Sequence, residues 1–290
     1  MPTVIDAAAV TSGHWPTSRS ARRLAVAAGR AALRKCLQAP SEVELLLNAG
    51  LYHDRNLGEP ALAPLIQEDI AANPGDPTPG GRGTFSFDVA NGTAGVLTAL
   101  HIVDGFMRAR TISTALVVAS DADPGHGLAP GFPFHPAGGA LVCHWTDRPV
   151  GLGPFSWCNQ PDGDGAFRTT VGIRDGRNVL MVEQSADYAD RLAGAASQAV
   201  ASLLDSESLK AEAVGSVLAA PDLPGMHARL AALTGIPADR FVAASGQTHT
   251  VSAISLIEQA GRAGLMRGPG TVLLVGAGAG VTAGAALYRL

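Results

Sequence analysis

Phe87-Asp88-Val89-Ala90-Asn91-Gly92-Thr93-Ala94-Gly95-Val96 reads as a strand end, a turn and a helix start in one short stretch. Phe87 and Val89 alternate with polar or small neighbours as in a strand, Asn91-Gly92 suits a sharp turn, and apolar residues at helical spacing run on to residue 108. An apolar strand is expected at 115–120. The same order returns near the C-terminus: the turn Ser245-Gly246-Gln247-Thr248-His249, a helix over 251–263, and a strand at 272–275. Thr93 to Val117 spans 24 positions, and so does His249 to Leu273. This repetition points to two similar α/β halves, residues 1–150 and 151–290, packed about a pseudo-twofold axis with their turns meeting at the centre.

Outward from these units the alternation of strand and helix continues. Residues 19–37 carry apolar positions at helical spacing until Pro40, 43–49 read as a buried strand, and a helix is expected over 60–72 with Pro60 near its first turn. Residues 74–83 and 121–136 are rich in proline and glycine and read as loops, with a strand at 139–144 after the second. In the second half, helices are expected over 184–204 and 226–233, with a strand at 216–219 between them.

The bulk numbers agree with an α/β chain. Hydrophobic residues make up 47% and charged residues 16%, a balance suited to buried sheet. A net charge of −4 offers no broad footprint for nucleic acid. The most apolar stretch, 272–287, is interrupted by glycines and falls short of the roughly 20 residues a membrane span needs, so no membrane partner is expected. Residues 1–6 lack a basic segment followed by an apolar run, so no secretory leader is expected. Cys36, Cys143 and Cys158 have no C-x-x-C spacing and suit a reducing, cytoplasmic location rather than a disulfide framework.

The stretch 87–96 resembles the nucleophile turn of the β-ketoacyl-ACP synthase III family, whose frame reads F-D-V-x-x-x-C-x-G-F. The segment 97–121, ending in Ser120-Asp121, and the closing run 268–290, with Gly276-Ala277-Gly278-Ala279-Gly280, are also similar to that family. The resemblance covers nearly the whole chain. It implies a thiolase-like, five-layered α-β-α-β-α fold made of two pseudo-duplicated halves, usually a tight dimer. It also implies a role with acyl groups held as thioesters on coenzyme A or acyl carrier protein.

The catalytic set of that family does not carry over. Its cysteine corresponds to Thr93, its HQAN-type histidine to the Ala220-Pro221 region, and its G-N-T-S-A-A-S asparagine to Gln247. The insert that grips the nucleotide of coenzyme A is mostly absent; Trp15 and Arg19 have a suggestive spacing, but the helix over 19–37 claims that register.

These replacements matter chemically. A thiol with an ordinary pKa near about 8.5 can be ionised by a helix N-terminus, whereas an alcohol is far weaker as an acid and a dipole worth about 1–2 kcal/mol does not close the gap. Thr93 therefore needs a general base to act as a nucleophile, and His249 is the candidate. Gln247 could donate one hydrogen bond to a developing enolate, from a longer side chain than asparagine.

Other features carry bland readings. Gly276–Gly280 is not G-x-G-x-x-G and too few residues follow it for a dinucleotide unit. His126, His135 and His144 have no carboxylate or thiol at metal-ligand spacing, so no metal or other cofactor is expected. Arg108 and Arg110 read as a solvated helix end and Arg22 and Arg23 as a helix face, either pair able to dock a carrier protein. Asp222 reads as a loop residue that could orient a base. The expectation is a ketosynthase III-like protein of fatty-acid or polyketide-type biosynthesis that lacks classical condensation and serves as a non-catalytic partner subunit. It would form a homodimer or a heterodimer with an active ketosynthase. The alternative is an acyltransferase or acyl-thioester hydrolase using Thr93 on acyl-CoA or acyl carrier protein; an acyl-ligand receptor is the third.

Overall fold

The structure, a computed structural model, describes residues 3–12, 20–52, 60–73, 83–123, 133–161, 165–244, 246 and 248–290. Strands β1 (Thr3–Ser12), β2 (Leu45–Asn48), β3 (Phe85–Asp88), β4 (Thr114–Asp121) and β5 (Ala137–Trp145) form a five-stranded sheet in the order β1-β5-β4-β2-β3. Strands β6 (Gly151–Asn159), β9 (Ser216–Ala220), β10 (Thr271–Gly278) and β11 (Thr282–Arg289) form a second sheet in the order β6-β11-β10-β9. The two orders correspond strand for strand. Where the first sheet adds β3 beside β2, the second has an isolated parallel bridge from Val217 to Phe241. A separate hairpin, β7 (Phe167–Arg174) with β8 (Arg177–Gln184), stands apart from both sheets.

Helices α1 (Ala21–Lys35) and α2 (Leu62–Ile70) cover one face of the first sheet, where Leu24, Ala28, Ile66 and Ile70 meet Leu46, Leu116 and Val118. The opposite face carries Leu45, Leu47 and Val117 into a central layer with α3 (Gly95–Arg108) and α6 (Ser252–Arg262). That layer is closed from the other side by Leu218, Val272 and Leu274, while Val217, Leu273 and Val275 face α4 (Tyr188–Ser206) and α5 (Met226–Thr234). The five layers follow from strands apolar on both faces: β4 is buried at all eight positions. Each leucine so buried contributes about 1.5–3 kcal/mol.

Local chemistry fixes the element ends. Ser20 caps α1 by accepting the Arg23 N–H at 3.2 Å. Helix α2 has no cap of its own, and Asp88 supplies it from the end of β3. One carboxylate oxygen takes the Leu62 N–H at 2.8 Å, and the other takes the Ala63 N–H at 2.8 Å and the Asn48 amide at 3.1 Å. Asp88 thus ties the end of β3, just before the Asn91-Gly92 turn, to the outer helix layer.

Several expectations are corrected. The helix expected from 19 begins at Ala21, and the one expected from 184 begins at Tyr188, because Phe167–Arg174 and Arg177–Gln184 are strands. The closing stretch is a strand hairpin in which β10 extends through the glycines to Gly278. Arg108 is not merely solvated: it bonds the buried Asp104 at 2.5 Å, which also accepts the Thr3 hydroxyl at 2.8 Å. Arg22 holds Asp69 at 2.6 and 2.7 Å, joining α1 to α2. No helix among the described residues is long and apolar enough to cross a membrane.

Candidate active site

The Asn91-Gly92 turn brings the chain out of β3 and directly into α3. Gly92 takes a φ of +48°, the left-handed region that costs a glycine little, and a short 3-10 turn over Gly92–Ala94 leads into the helix. Thr93 is 4% exposed. Beneath it lies β10, whose glycines let the helix start press onto the second sheet. A Cβ on Gly276 would stand 3.2 Å from Leu97 Cβ and 3.3 Å from Ala94 Cα, and one on Gly278 would stand 3.1 Å from Thr93 Oγ1. The glycine alternation of the closing run is a packing device.

The Thr93 hydroxyl donates its hydrogen bond to the backbone carbonyl of Ala277. An amide carbonyl is a good acceptor and a very poor base, so this contact holds the side chain without activating it. Thr93 nevertheless lines a cavity of about 230 Å³ together with Phe134, Phe167, Tyr188, Asp222 and His249. Two of the residues singled out from the sequence, Thr93 and His249, are therefore brought to one space. The third, Gln247, lies outside the described residues, as do Trp15, Arg19 and His126.

His249 sits in the turn that opens α6, its carbonyl accepting the Ser252 N–H at 3.2 Å and hydroxyl at 2.7 Å. Its ring is packed among aromatic groups: Phe134 at 4.3 Å, Tyr52 at 4.9 Å and Phe167 at 6.2 Å between centroids. Burial pushes the Tyr52 hydroxyl up to about 12, against a lowering bond from Thr169 and with the Asp121 carboxylate adding to the rise, so it stays protonated at neutral pH. Nδ1 of His249 faces Asp121 Oδ1 at 3.5 Å, both side chains being buried. Nε2 faces the opposite way, 4.0 Å from where a Cβ would stand on Gly92. Asp121, Tyr52, Phe134 and Phe167 were not predicted as site residues. The only signal was Asp121 at the end of the strand that mirrors β10, level with the turn that His249 occupies.

Strand β9 ends at Ala220, and Pro221 after it lines the cavity. Asp222 also lines the cavity, but it does not orient His249. One carboxylate oxygen accepts the Ala244 N–H at 2.7 Å, and the other lies 3.5 Å from Nδ1 of His227. His227 in turn places Nε2 2.9 Å from the Ala219 carbonyl. Cys143 is fully buried and its thiol is pushed up to about 12 by that burial, so it is not a nucleophile.

No family model matches the chain. The β-ketoacyl-[acyl-carrier-protein] synthase III of Aquifex aeolicus (strain VF5) is 27% identical over 123 residues, a region of 38% of this chain and 36% of the relative's length. Among solved structures, the 3-oxoacyl-(acyl carrier protein) synthase III of Pseudomonas aeruginosa PAO1 superimposes with a TM-score of 0.80 at 19% identity, over 100% of this chain and 98% of that one. The OleA protein of Xanthomonas campestris, solved with lauric acid and lauroyl-CoA, gives 0.80 at 13% identity over 100% and 99% of the two chains. At these identities the likeness shows the fold, and this chain carries the thiolase-type fold of the 3-oxoacyl synthase III structures.

Proposed function

We propose that this chain is a ketosynthase III-like protein of fatty-acid or polyketide-type biosynthesis that receives acyl thioesters but does not condense them, acting as the partner subunit of an active ketosynthase. The observation that carries this reading is the bond from Thr93 to the Ala277 carbonyl. The Thr93 hydroxyl has no base on its proton, and the resemblance puts Ala220-Pro221, which carries no imidazole, at the position of the family's histidine. The acyl-thioester part rests on the cavity's apolar walls and on the OleA structure, which holds lauric acid and lauroyl-CoA. A partner subunit keeps its value through its frame, which explains why the layered packing is intact while the reactive groups are replaced.

Co-expression with a co-encoded ketosynthase tests it. The expected result is a stable complex in which 3-ketoacyl product forms only when the partner's own nucleophile is present. Condensation of acyl-CoA with a malonyl thioester by this chain alone would overturn the reading.

A second reading, acyl transfer or hydrolysis through Thr93, is favoured by the presence of Thr93 and His249 in one cavity. Intact-mass measurement after incubation with acetyl- and medium-chain acyl-CoA separates the two: an adduct absent from Thr93→Ala supports the nucleophile, and an unmodified chain supports the partner.

A further inference from the structure

Asp121 and His249 form a buried pair whose geometry the partner role leaves unused. The side chains are 1% and 7% exposed. Oδ2 of Asp121 accepts both the N–H and the hydroxyl of Thr250 at 2.8 Å, which amounts to a cap on the turn that opens α6. Capping accounts for one oxygen. The other, Oδ1, lies 3.5 Å from Nδ1 of His249, and neither atom makes a hydrogen bond among the described residues. Buried polar atoms without partners are costly, so two that face each other are best understood as one interaction.

A carboxylate at Nδ1 places the imidazole proton there and leaves the Nε2 lone pair open. Nε2 lies near the Gly92 turn, 4.0 Å from where a Cβ on that residue would stand, and Thr93 and His249 line the same cavity. The rings of Tyr52 and Phe134 pack against the imidazole and limit its rotation. An imidazole held between two rings, with a buried carboxylate on its Nδ1 side and an acyl-sized cavity beside it, is suited to act as a general base.

We propose that this pair makes the cavity an acyl-thioester hydrolase in its own right, with water as the nucleophile, His249 as the base and Asp121 as its positioning residue. The inference rests on reading the cavity as an acyl-thioester site and adds an activity to the partner role. His249 Nε2 removes a proton from a water whose oxygen bonds to the thioester carbonyl carbon. The tetrahedral intermediate collapses, the C–S bond breaks with its electron pair leaving on sulfur, and the sulfur takes the proton back from Nε2. The products are a carboxylic acid and a free thiol, and the protein is unchanged. Thr93 forms no bond in this sequence, because its proton is directed to the Ala277 carbonyl and not to the imidazole.

The test uses the full chain with acetyl- and octanoyl-CoA, following the acid product by mass spectrometry and thiol release by stopped flow. Hydrolysis above the protein-free rate is expected, with no burst of thiol equal to the protein concentration and no acyl adduct. His249→Gln lowers kcat by about a hundredfold, the lower end of what a positioned base supplies. Asp121→Asn lowers kcat about tenfold at unchanged KM, and Asp121→Glu recovers part of the loss, which a purely structural carboxylate would not show. Melting curves and octanoyl-CoA binding by calorimetry establish that each variant is folded; if Asp121→Asn is not, the His249→Gln comparison decides alone. Wild-type protein with no turnover, or His249→Gln turning over at the wild-type rate, overturns the proposal, and so does a thiol burst with an adduct on Thr93. Failure of the partner reading is seen separately, in the co-expression complex and in the 3-ketoacyl product.

Discussion

Replacing Thr93 by valine tests whether its buried hydroxyl is structural. The two side chains are nearly equal in volume, so the change opens no cavity and isolates the hydroxyl. The hydroxyl makes one buried bond, to the Ala277 carbonyl, at a residue that is 4% exposed. A neutral hydrogen bond contributes about 0.5–1.5 kcal/mol net, and leaving a buried acceptor short of its partner adds a desolvation term in the range of about 1–3 kcal/mol. The strand carbonyl retains its second lone pair, so the lower end of both ranges applies and Thr93→Val should cost about 1–2 kcal/mol. Urea unfolding followed by circular dichroism reads this as a shift of the midpoint at constant slope. A variant as stable as wild type within about 0.3 kcal/mol would falsify the structural role of the hydroxyl and return Thr93 to the nucleophile reading.

Three further predictions follow from the packing. Asp88→Ala removes three accepted bonds, to Leu62, Ala63 and Asn48, and should destabilise the protein by about 1–3 kcal/mol in the same assay. Gly276→Val drives a side chain into Leu97 and Ala94 and should cost about 1–3 kcal/mol, with amide exchange rising first at the start of α3. Tyr52, Cys143 and Tyr288 are each held at about 12 by burial, above ordinary values of 10.0, 9.0 and 10.0. Because the folded chain keeps protons that the unfolded chain releases, their contribution is complete below pH 9 and is lost as pH rises from 9 toward 12. The urea midpoint should therefore fall between pH 8 and pH 10.5, and an unchanged midpoint would contradict the burial of these groups.

Most of the frame was legible because its signals are local. Leu45–Asn48 and Thr114–Asp121 are apolar runs bounded by turns, and α1 and α3 keep helical spacing throughout. Strands β6 to β8 were not legible. Ser156 and Cys158 interrupt the apolar pattern of β6, and the hairpin exposes Val171, Ile173 and Met181, so alternation there does not mark a buried face. The site divides in the same way. His249 followed from the mirrored spacing with Thr93, which is a property of one chain read along its length. Asp121 and the rings of Tyr52, Phe134 and Phe167 surround it from four separate segments, and no local pattern records which distant segments will meet. Asp222, a loop residue in the sequence, is engaged by the Ala244 N–H and faces His227, a partner its local sequence does not announce.

That dispersal has a thermodynamic consequence. A cavity whose walls include Thr93, Phe134, Phe167 and His249 does not exist until both sheets and the hairpin have docked, so neither half offers it alone. Any acyl compound that occupies it binds only the completed chain and must shift global unfolding by RT ln(1 + [L]/Kd), about 2.7 kcal/mol at a hundredfold excess over Kd. A thermal-shift screen of acyl thioesters is thus a measurement of assembly as much as of affinity, and it ranks ligands before any turnover is known.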